Sequence, residues 1–133
     1  MRILIMGLPE SGKTALGEKL SVEFSIPFWD ADVVRKIYND WDFSLQARER
    51  QALRMRKLSE LEPISICAFI CPLPGFRSFF FPDKLIWMDT VENCEYEDTN
   101  KMFQPPTKYD VRITKLGEDM EAFNLVRGCL DNF

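Results

Sequence analysis

The sequence contains no histidine. That absence excludes Ser-His-Asp and Cys-His catalysis, zinc sites that include histidine, and pH switches that depend on histidine titration. Any proton transfer must therefore use a carboxylate, Lys, Tyr, Cys or water.

Cysteine is scarce, and its spacing fits neither a disulfide framework nor a zinc site. No C-x-x-C pair occurs, which argues against a four-thiolate zinc centre. Cys67 and Cys71 lie in a run typical of a buried strand, where four residues span about 13 Å, too far for a disulfide. We expect free, mostly buried thiols in a reducing compartment at all four positions. The four are Cys67, Cys71, Cys94 and Cys129.

The chain also lacks an excess of positive charge and long apolar runs. Seventeen Lys and Arg against 21 Asp and Glu give a net charge of −4, which argues against a nucleic-acid or anionic-membrane binder. No apolar run reaches the roughly 18 residues of a membrane span. The opening MRILIMG has the pattern of a strand and not of a signal peptide, so we expect a cytoplasmic protein. The length of 133 residues predicts one domain over 1–133.

Apolar runs of strand length alternate with segments of helical spacing. This alternation predicts an α/β fold in which a parallel β-sheet carries helices on both faces. Ser44 has the character of a helix N-cap, and Pro72 with Pro74 predicts a turn. The predicted strands cover 2–6, 26–29, 64–71, 84–88 and 111–113. The predicted helices cover 13–24, a segment through 33–37, 44–61 and 118–130.

A phosphate-binding loop joins the first strand to the first helix. Residues 7–14 match G-x-x-x-x-G-K-[ST] and lie between a buried strand and an amphipathic helix, as that loop requires. Its backbone N–H groups and the helix N-terminus bind phosphate. We expect Lys13 to reach the β- and γ-phosphates of ATP and the Thr14 hydroxyl to bind Mg²⁺. We call residues 7–14 the P-loop: Gly7, Leu8, Pro9, Glu10, Ser11, Gly12, Lys13 and Thr14.

Glu10 is an unusual residue for a loop that binds a polyanion. We expect its side chain to point away from the phosphates, so that Glu10→Gly would retain or tighten nucleotide binding. The P-loop alone does not specify a reaction. A guanine-specific switch would need Asn-Lys-x-Asp, and Asn100-Lys101-Met102-Phe103 lacks the Asp, which disfavours a GTPase.

Two carboxylates follow the second predicted strand. Asp30 and Asp32 would lie at the carboxyl edge of the sheet, where open α/β sheets bind ligands. There they could orient an acceptor hydroxyl, take its proton or hold metal-bound water. The alternative is that they only cap the following helix, a role that Asp performs well.

A series of short motifs resembles adenylylsulfate kinase, the P-loop enzyme that phosphorylates the 3′-hydroxyl of adenylyl sulfate (APS). The family pattern runs D-G-D-N-x-R, F-S-x-x-x-R-x-x-N, an A-F-I-S-P-like strand end, and C-E-x-R-D-x-K before a lid. The counterparts here are D-A-D-V-V-R from residue 30, F-S-L-Q-A-R-E-R-Q from 43, A-F-I-C-P from 68 and C-E-Y-E-D from 94. The resemblance covers about residues 1–110 and implies a P-loop kinase fold with ATP and Mg²⁺ as cofactors.

The resemblance also implies roles for individual residues. Lys13, Asp30 and Asp32 would be catalytic, with either aspartate as the base or orienting group. A shortened lid over about residues 95–110 would close on the nucleotide, and dimers are usual in the family. Single arginines can also belong to a solvated helix face, and Phe43 can also belong to the core. The residues expected to contact the acceptor are Asp32, Arg35, Phe43, Arg48, Gln51, Cys71 and Lys101.

The sequence therefore predicts an ATP- and Mg²⁺-dependent kinase whose acceptor is a small molecule, with APS as the first candidate. A kinase of another nucleoside, nucleotide or small alcohol is the nearest alternative. From a different class, the alternative is a catalytically weak ATP-binding protein that acts through a partner.

Overall fold

The computed structural model describes residues 1–133 and contains a five-stranded parallel sheet. The strand order is β2-β3-β1-β4-β5. The predicted α/β fold is confirmed. The strands are β1 (Arg2–Met6), β2 (Phe28–Asp30), β3 (Ser65–Phe69), β4 (Lys84–Met88) and β5 (Val111–Ile113). The helices are α1 (Lys13–Phe24), α2 (Ala31–Tyr38), α3 (Leu45–Ser59), α4 (Pro74–Phe80), α5 (Glu97–Met102) and α6 (Met120–Asp131).

The central strand β1 supplies side chains to hydrophobic cores on both faces of the sheet. Ile3 and Ile5 pack in a core with residues of α1 and α6. Leu4 and Met6 pack in a second core with residues of α2, α3 and α4. Successive side chains of a strand point to opposite faces, so an entirely apolar strand must be covered on both. The helices therefore lie on both faces, as the sequence predicts.

Several element boundaries match the sequence prediction. The predicted bounds of β1, β4, β5 and α1 agree with those observed. Ser44 is the N-cap of α3, because its hydroxyl accepts a hydrogen bond from the backbone N–H of Ala47 at 3.3 Å.

Other predicted boundaries were wrong. The second strand begins at Phe28 and includes Asp30, and β3 ends at Phe69 before Cys71. Pro74 does not simply continue a turn, since it opens α4 as one of its first residues. Proline suits that position because its missing N–H has no helical partner there and its φ is already helical. The short helix α5 within the acidic segment was also not predicted.

No helix is both long and apolar enough to cross a membrane.

Candidate active site

A cleft of about 1120 Å³ lies at the carboxyl ends of the strands. The P-loop forms one side of it, and the beginnings of α2 and α3 form another. The end of β3 and the residues in and before α5 complete the lining. This is where an open α/β sheet is expected to bind its ligand, because the strand order reverses around β1.

The two P-loop glycines are required by close approaches and by left-handed backbone. Gly7 has φ +158°, and a Cβ there would lie 2.6 Å from the carbonyl oxygen of Met88. Gly12 has φ +97°, and a Cβ there would lie 2.7 Å from the side chain of Leu116. A side chain at Gly7 would therefore push the loop away from the backbone of β4, and one at Gly12 would be strained by the left-handed φ.

The P-loop divides into an inner side and a cleft side. Gly7, Leu8 and Ser11 are buried against the protein, and the Thr90 hydroxyl donates to the Ser11 carbonyl at 2.8 Å. The cleft side holds the other five residues, which are Pro9, Glu10, Gly12, Lys13 and Thr14. The inner residues thus shape the loop, and the outer ones are available to a ligand.

Glu10 lies on the cleft side but is exposed, with a left-handed φ of 66°. The neighbouring Glu95 raises the pKa of Tyr96, and Glu10 adds to the effect. The lid segment before α5 therefore lies beside the P-loop at this point.

The Lys13 side chain is held over the P-loop by a backbone carbonyl of that loop. Its Nζ donates to the carbonyl of Leu8 at 2.8 Å. Burial lowers the pKa of Lys13 to about 8, and the nearby carboxylates of Asp32 and Asp30 only partly oppose that shift. A cation in this desolvated position interacts strongly with an incoming phosphate, since few water molecules compete.

The Asp30 carboxylate accepts two hydrogen bonds from the protein, whereas the Asp32 carboxylate accepts none. Asp30 accepts hydrogen bonds from the Thr14 hydroxyl and, at 2.9 Å, from the backbone N–H of Asp32. It is thereby the N-cap of α2 and a link to the P-loop. Asp32 also lines the cleft, and its carboxylate remains free for a ligand.

Oxygen donors suited to Mg²⁺ meet at the start of α1. The Thr14 hydroxyl and the Asp30 carboxylate are hydrogen-bonded, and Mg²⁺ prefers such oxygens together with phosphate ligands and water. No group of three His, Cys, Asp or Glu side chains is arranged to hold a metal ion. The pair Thr14 and Asp30 fits an ion that takes its remaining ligands from the nucleotide.

The guanidinium groups of Arg35 and Arg48 lie over the ring of Phe43, and all three residues line the cleft. Their guanidinium carbons lie 4.4 Å and 5.5 Å from the ring centroid. Arg35 Nη1 donates to the carbonyls of Asp40 and Asp42, and Arg48 Nε donates to the carbonyl of Phe43. Phe43 itself is 46% exposed, so it is not an ordinary core residue.

Neither arginine is paired with a carboxylate. They are 5% and 7% exposed, yet no Asp or Glu oxygen lies within 4.0 Å of either guanidinium group. Burial lowers the pKa of both, although an arginine stays protonated in proteins. Two buried cations that lack a direct carboxylate partner in a cleft favour an anionic ligand.

Of the other three predicted acceptor contacts, Gln51 and Cys71 line the cleft and Lys101 does not. Gln51 is buried, and its amide donates to the carbonyl of Ala31 at 3.1 Å, which ties α3 to α2. Cys71 lines the cleft, but burial raises the pKa of its thiol to about 12, so it is not a reactive thiolate. Lys101 is exposed on α5 and is not part of the cleft lining.

Sequence reasoning missed Thr99, Trp41 and Arg77 in and around the cleft. Thr99 is buried on α5, and Trp41 precedes Phe43 in the lining. Arg77 on α4 donates to the carbonyls of Cys71 and Gln104, which joins the residues after β3 to the residues after α5. Thr99 in particular has no local signal, because its partner Arg48 is 51 residues away in the sequence.

No protein-family model matches this chain, and no curated protein was found to be similar in sequence. Solved structures do resemble it. The Mycobacterium tuberculosis APS kinase CysC, solved with AMPPNP and APS, has a TM-score of 0.74 at 19% identity, covering 98% of this chain and 96% of that one. Shikimate kinase from Aquifex aeolicus has a TM-score of 0.69 at 19% identity, covering 99% and 97%. A gluconokinase from Sinorhizobium meliloti has a TM-score of 0.73 at 12% identity, covering 98% and 94%.

These three enzymes are named for chemically different molecules, and the likeness to this chain covers nearly the whole length of each. Likeness at such low identity shows architecture and not substrate. The chain has the P-loop kinase fold.

Proposed function

We propose that this protein is an ATP- and Mg²⁺-dependent kinase that phosphorylates a hydroxyl group of a small anionic molecule, with APS as the first candidate. One observation carries the proposal: the P-loop, a free carboxylate at Asp32 and two unpaired arginines line the same cleft. The fold likeness to an APS kinase and to two kinases of other small molecules supports it.

At the nucleotide end, Lys13 and the P-loop N–H groups bind the phosphates of ATP. Thr14 and Asp30 hold the Mg²⁺ ion, which neutralises phosphate charge when bound. The cleft lining carries five carboxylates and three cationic side chains, so that neutralisation matters for a polyanion. The five are Glu10, Asp30, Asp32, Glu95 and Asp98, and the three are Lys13, Arg35 and Arg48.

At the acceptor end, the hydrogen bonds distinguish the two aspartates. Asp30 is occupied by Thr14 and by the backbone of α2, so it organises the metal side. Asp32 is the carboxylate that orients the acceptor hydroxyl or accepts its proton. Arg35 and Arg48 bind the anionic group of the acceptor, since guanidinium groups suit tetrahedral oxyanions.

An acceptor screen tests the proposal most directly. Purified protein is incubated with Mg-ATP and one of APS, nucleosides, nucleotides, shikimate or gluconate, and products are read by phosphorus NMR or mass spectrometry. We expect phosphorylated APS, and no product with Lys13→Ala. Transfer to another anionic acceptor would rule out APS as the acceptor and leave the kinase proposal standing. No transfer to any of them would reject the kinase proposal.

A matched pair of variants tests the two aspartates. Asp32→Asn should lower the rate of transfer at least a hundredfold with little change in ATP affinity, because general-base assistance is worth 10²–10⁴-fold. Asp30→Asn should weaken Mg²⁺ binding and nucleotide binding together. Equal effects of both variants on nucleotide affinity would remove Asp32 from the acceptor role.

The lid supports a second candidate, an ATP-binding protein that transfers phosphate slowly or not at all. Over the lid, about residues 95–110, the only basic residues are Lys101 and Lys108, and both lie outside the cleft lining. Glu95 and Asp98 face the cleft instead. Such a lid provides no cation to stabilise developing charge on the phosphoryl group. Tight Mg-ATP binding with no acceptor in the screen would favour this candidate.

A cytoplasmic location and a homodimer remain predictions.

A further inference from the structure

One buried hydrogen bond joins the lid helix α5 to α3. Arg48 Nη2 donates to the Thr99 hydroxyl at 2.9 Å, and Thr99 is 3% exposed. The Nε of the same guanidinium donates to the Phe43 carbonyl, also at 2.9 Å. Two of its three nitrogens are therefore fixed by the protein, and Nη1 has no protein partner.

The Thr99 hydroxyl is a critical acceptor because Arg48 has so few others. The guanidinium is buried and carries its charge permanently, and no carboxylate oxygen lies within 4.0 Å of it. Loss of the hydroxyl would leave Nη2 buried without an acceptor, which favours reorientation of the whole planar group. The orientation of Nη1 therefore depends on a residue of the lid.

A second connection independently holds the residues that follow α5. The Gln104 backbone N–H donates to the Pro72 carbonyl at 2.7 Å, and the Gln104 carbonyl accepts from Arg77. This anchor does not involve α3. Breaking the bond between Arg48 and Thr99 should thus loosen α5 while the Gln104 anchor persists.

We propose that Thr99 is a positioning residue: its hydroxyl orients Arg48 toward the anionic group of the acceptor and links that orientation to the position of α5 over the cleft. The proposal rests on the proposed function in assigning Arg48 to the acceptor. It adds that acceptor binding and lid position are coupled through one side-chain pair, since displacement of either helix breaks the same bond.

The test compares Thr99→Val, which removes the hydroxyl at nearly constant volume, with Thr99→Ser, which retains it. With the P-loop saturated by Mg-AMPPNP, titration with APS should show about tenfold weaker binding to the Val variant. The Ser variant should bind as the wild type does. AMPPNP affinity should be equal in all three proteins, which separates positioning from general damage.

Hydrogen exchange in the ligand-free protein gives a second readout that does not depend on the acceptor. The amides of Asn100 and Phe103, which bond within α5 to Tyr96 and Thr99, should exchange faster in the Val variant. The Gln104 amide should be unchanged, and the Ser variant should restore the wild-type rates.

Each outcome decides the proposal. Wild-type exchange in α5 of the Val variant would overturn it, and so would equal losses of AMPPNP and APS affinity. If the wild type itself does not bind APS, that acceptor is wrong. The exchange data then judge only the link between Arg48 and α5: faster exchange with rescue by Ser supports that link, and its absence overturns the proposal.

Discussion

The lowered pKa of Lys13 predicts that nucleotide binding weakens as pH rises above about 8. Burial is the main cause of the shift, and the carboxylates of Asp32 and Asp30 oppose it. Bound phosphates add negative charge beside Nζ, so the pKa of Lys13 is higher in the complex than in the free protein. Because the pKa is higher in the complex, Lys13 takes up a proton when the nucleotide binds. Nucleotide affinity therefore falls as the pH rises above the pKa of Lys13 in the free protein.

The magnitude follows from the protonated fraction of free Lys13. With a pKa of about 8, roughly nine tenths of the side chain is protonated at pH 7 and roughly one tenth at pH 9. If the complex retains the proton throughout, affinity at pH 9 should be about tenfold lower, or about 1.4 kcal/mol. An unshifted lysine would give almost no change over this range.

Isothermal titration calorimetry with Mg-AMPPNP measures both the affinity and the protons taken up. Titrations at pH 7 and pH 9, each in two buffers of different ionisation enthalpy, should show about 0.1 proton and about 0.9 proton per site respectively. Lys13→Arg is the matched control, because its guanidinium stays charged and should abolish the uptake even if binding is weaker. Constant affinity and no proton uptake at pH 9 in the wild type would refute the account of Lys13.

Three further substitutions test the packing and electrostatics in the ligand-free protein by thermal or urea unfolding. Lys13→Met should raise the free energy of unfolding by about 1–3 kcal/mol at pH 7 while abolishing nucleotide binding, because it removes a buried charge; a lower stability would contradict this. Gly17→Ala should cost about 1–3 kcal/mol, since its Cβ would lie 2.2 Å from the Phe28 ring, whereas an unchanged stability would show that β2 yields. Gly128→Ala, in α6 with nothing within 4 Å of the new Cβ, should gain about 0.5–1 kcal/mol, and a loss would contradict the open surroundings.

Local patterns carried most of the fold prediction. The apolar run of β1, the P-loop and the start of α1 are adjacent in sequence, and each restricts the next one directly. The Ser44 cap was likewise predictable, because the hydroxyl and the N–H it accepts from are three residues apart. Where an element is short or held by distant contacts, as α4 and α5 are, the sequence alone did not predict it.

The sequence by itself determined the phosphate loop, the parallel sheet and the side of the sheet where a ligand binds, because these depend on residue types at fixed local spacing. Only the tertiary structure decided that Asp30 serves Thr14 and α2 while Asp32 stays free. It also placed Lys101 outside the cleft and brought Thr99 to Arg48, a pair 51 residues apart. Such contacts arise from the packing of whole helices, and no local pattern encodes which side chains then meet.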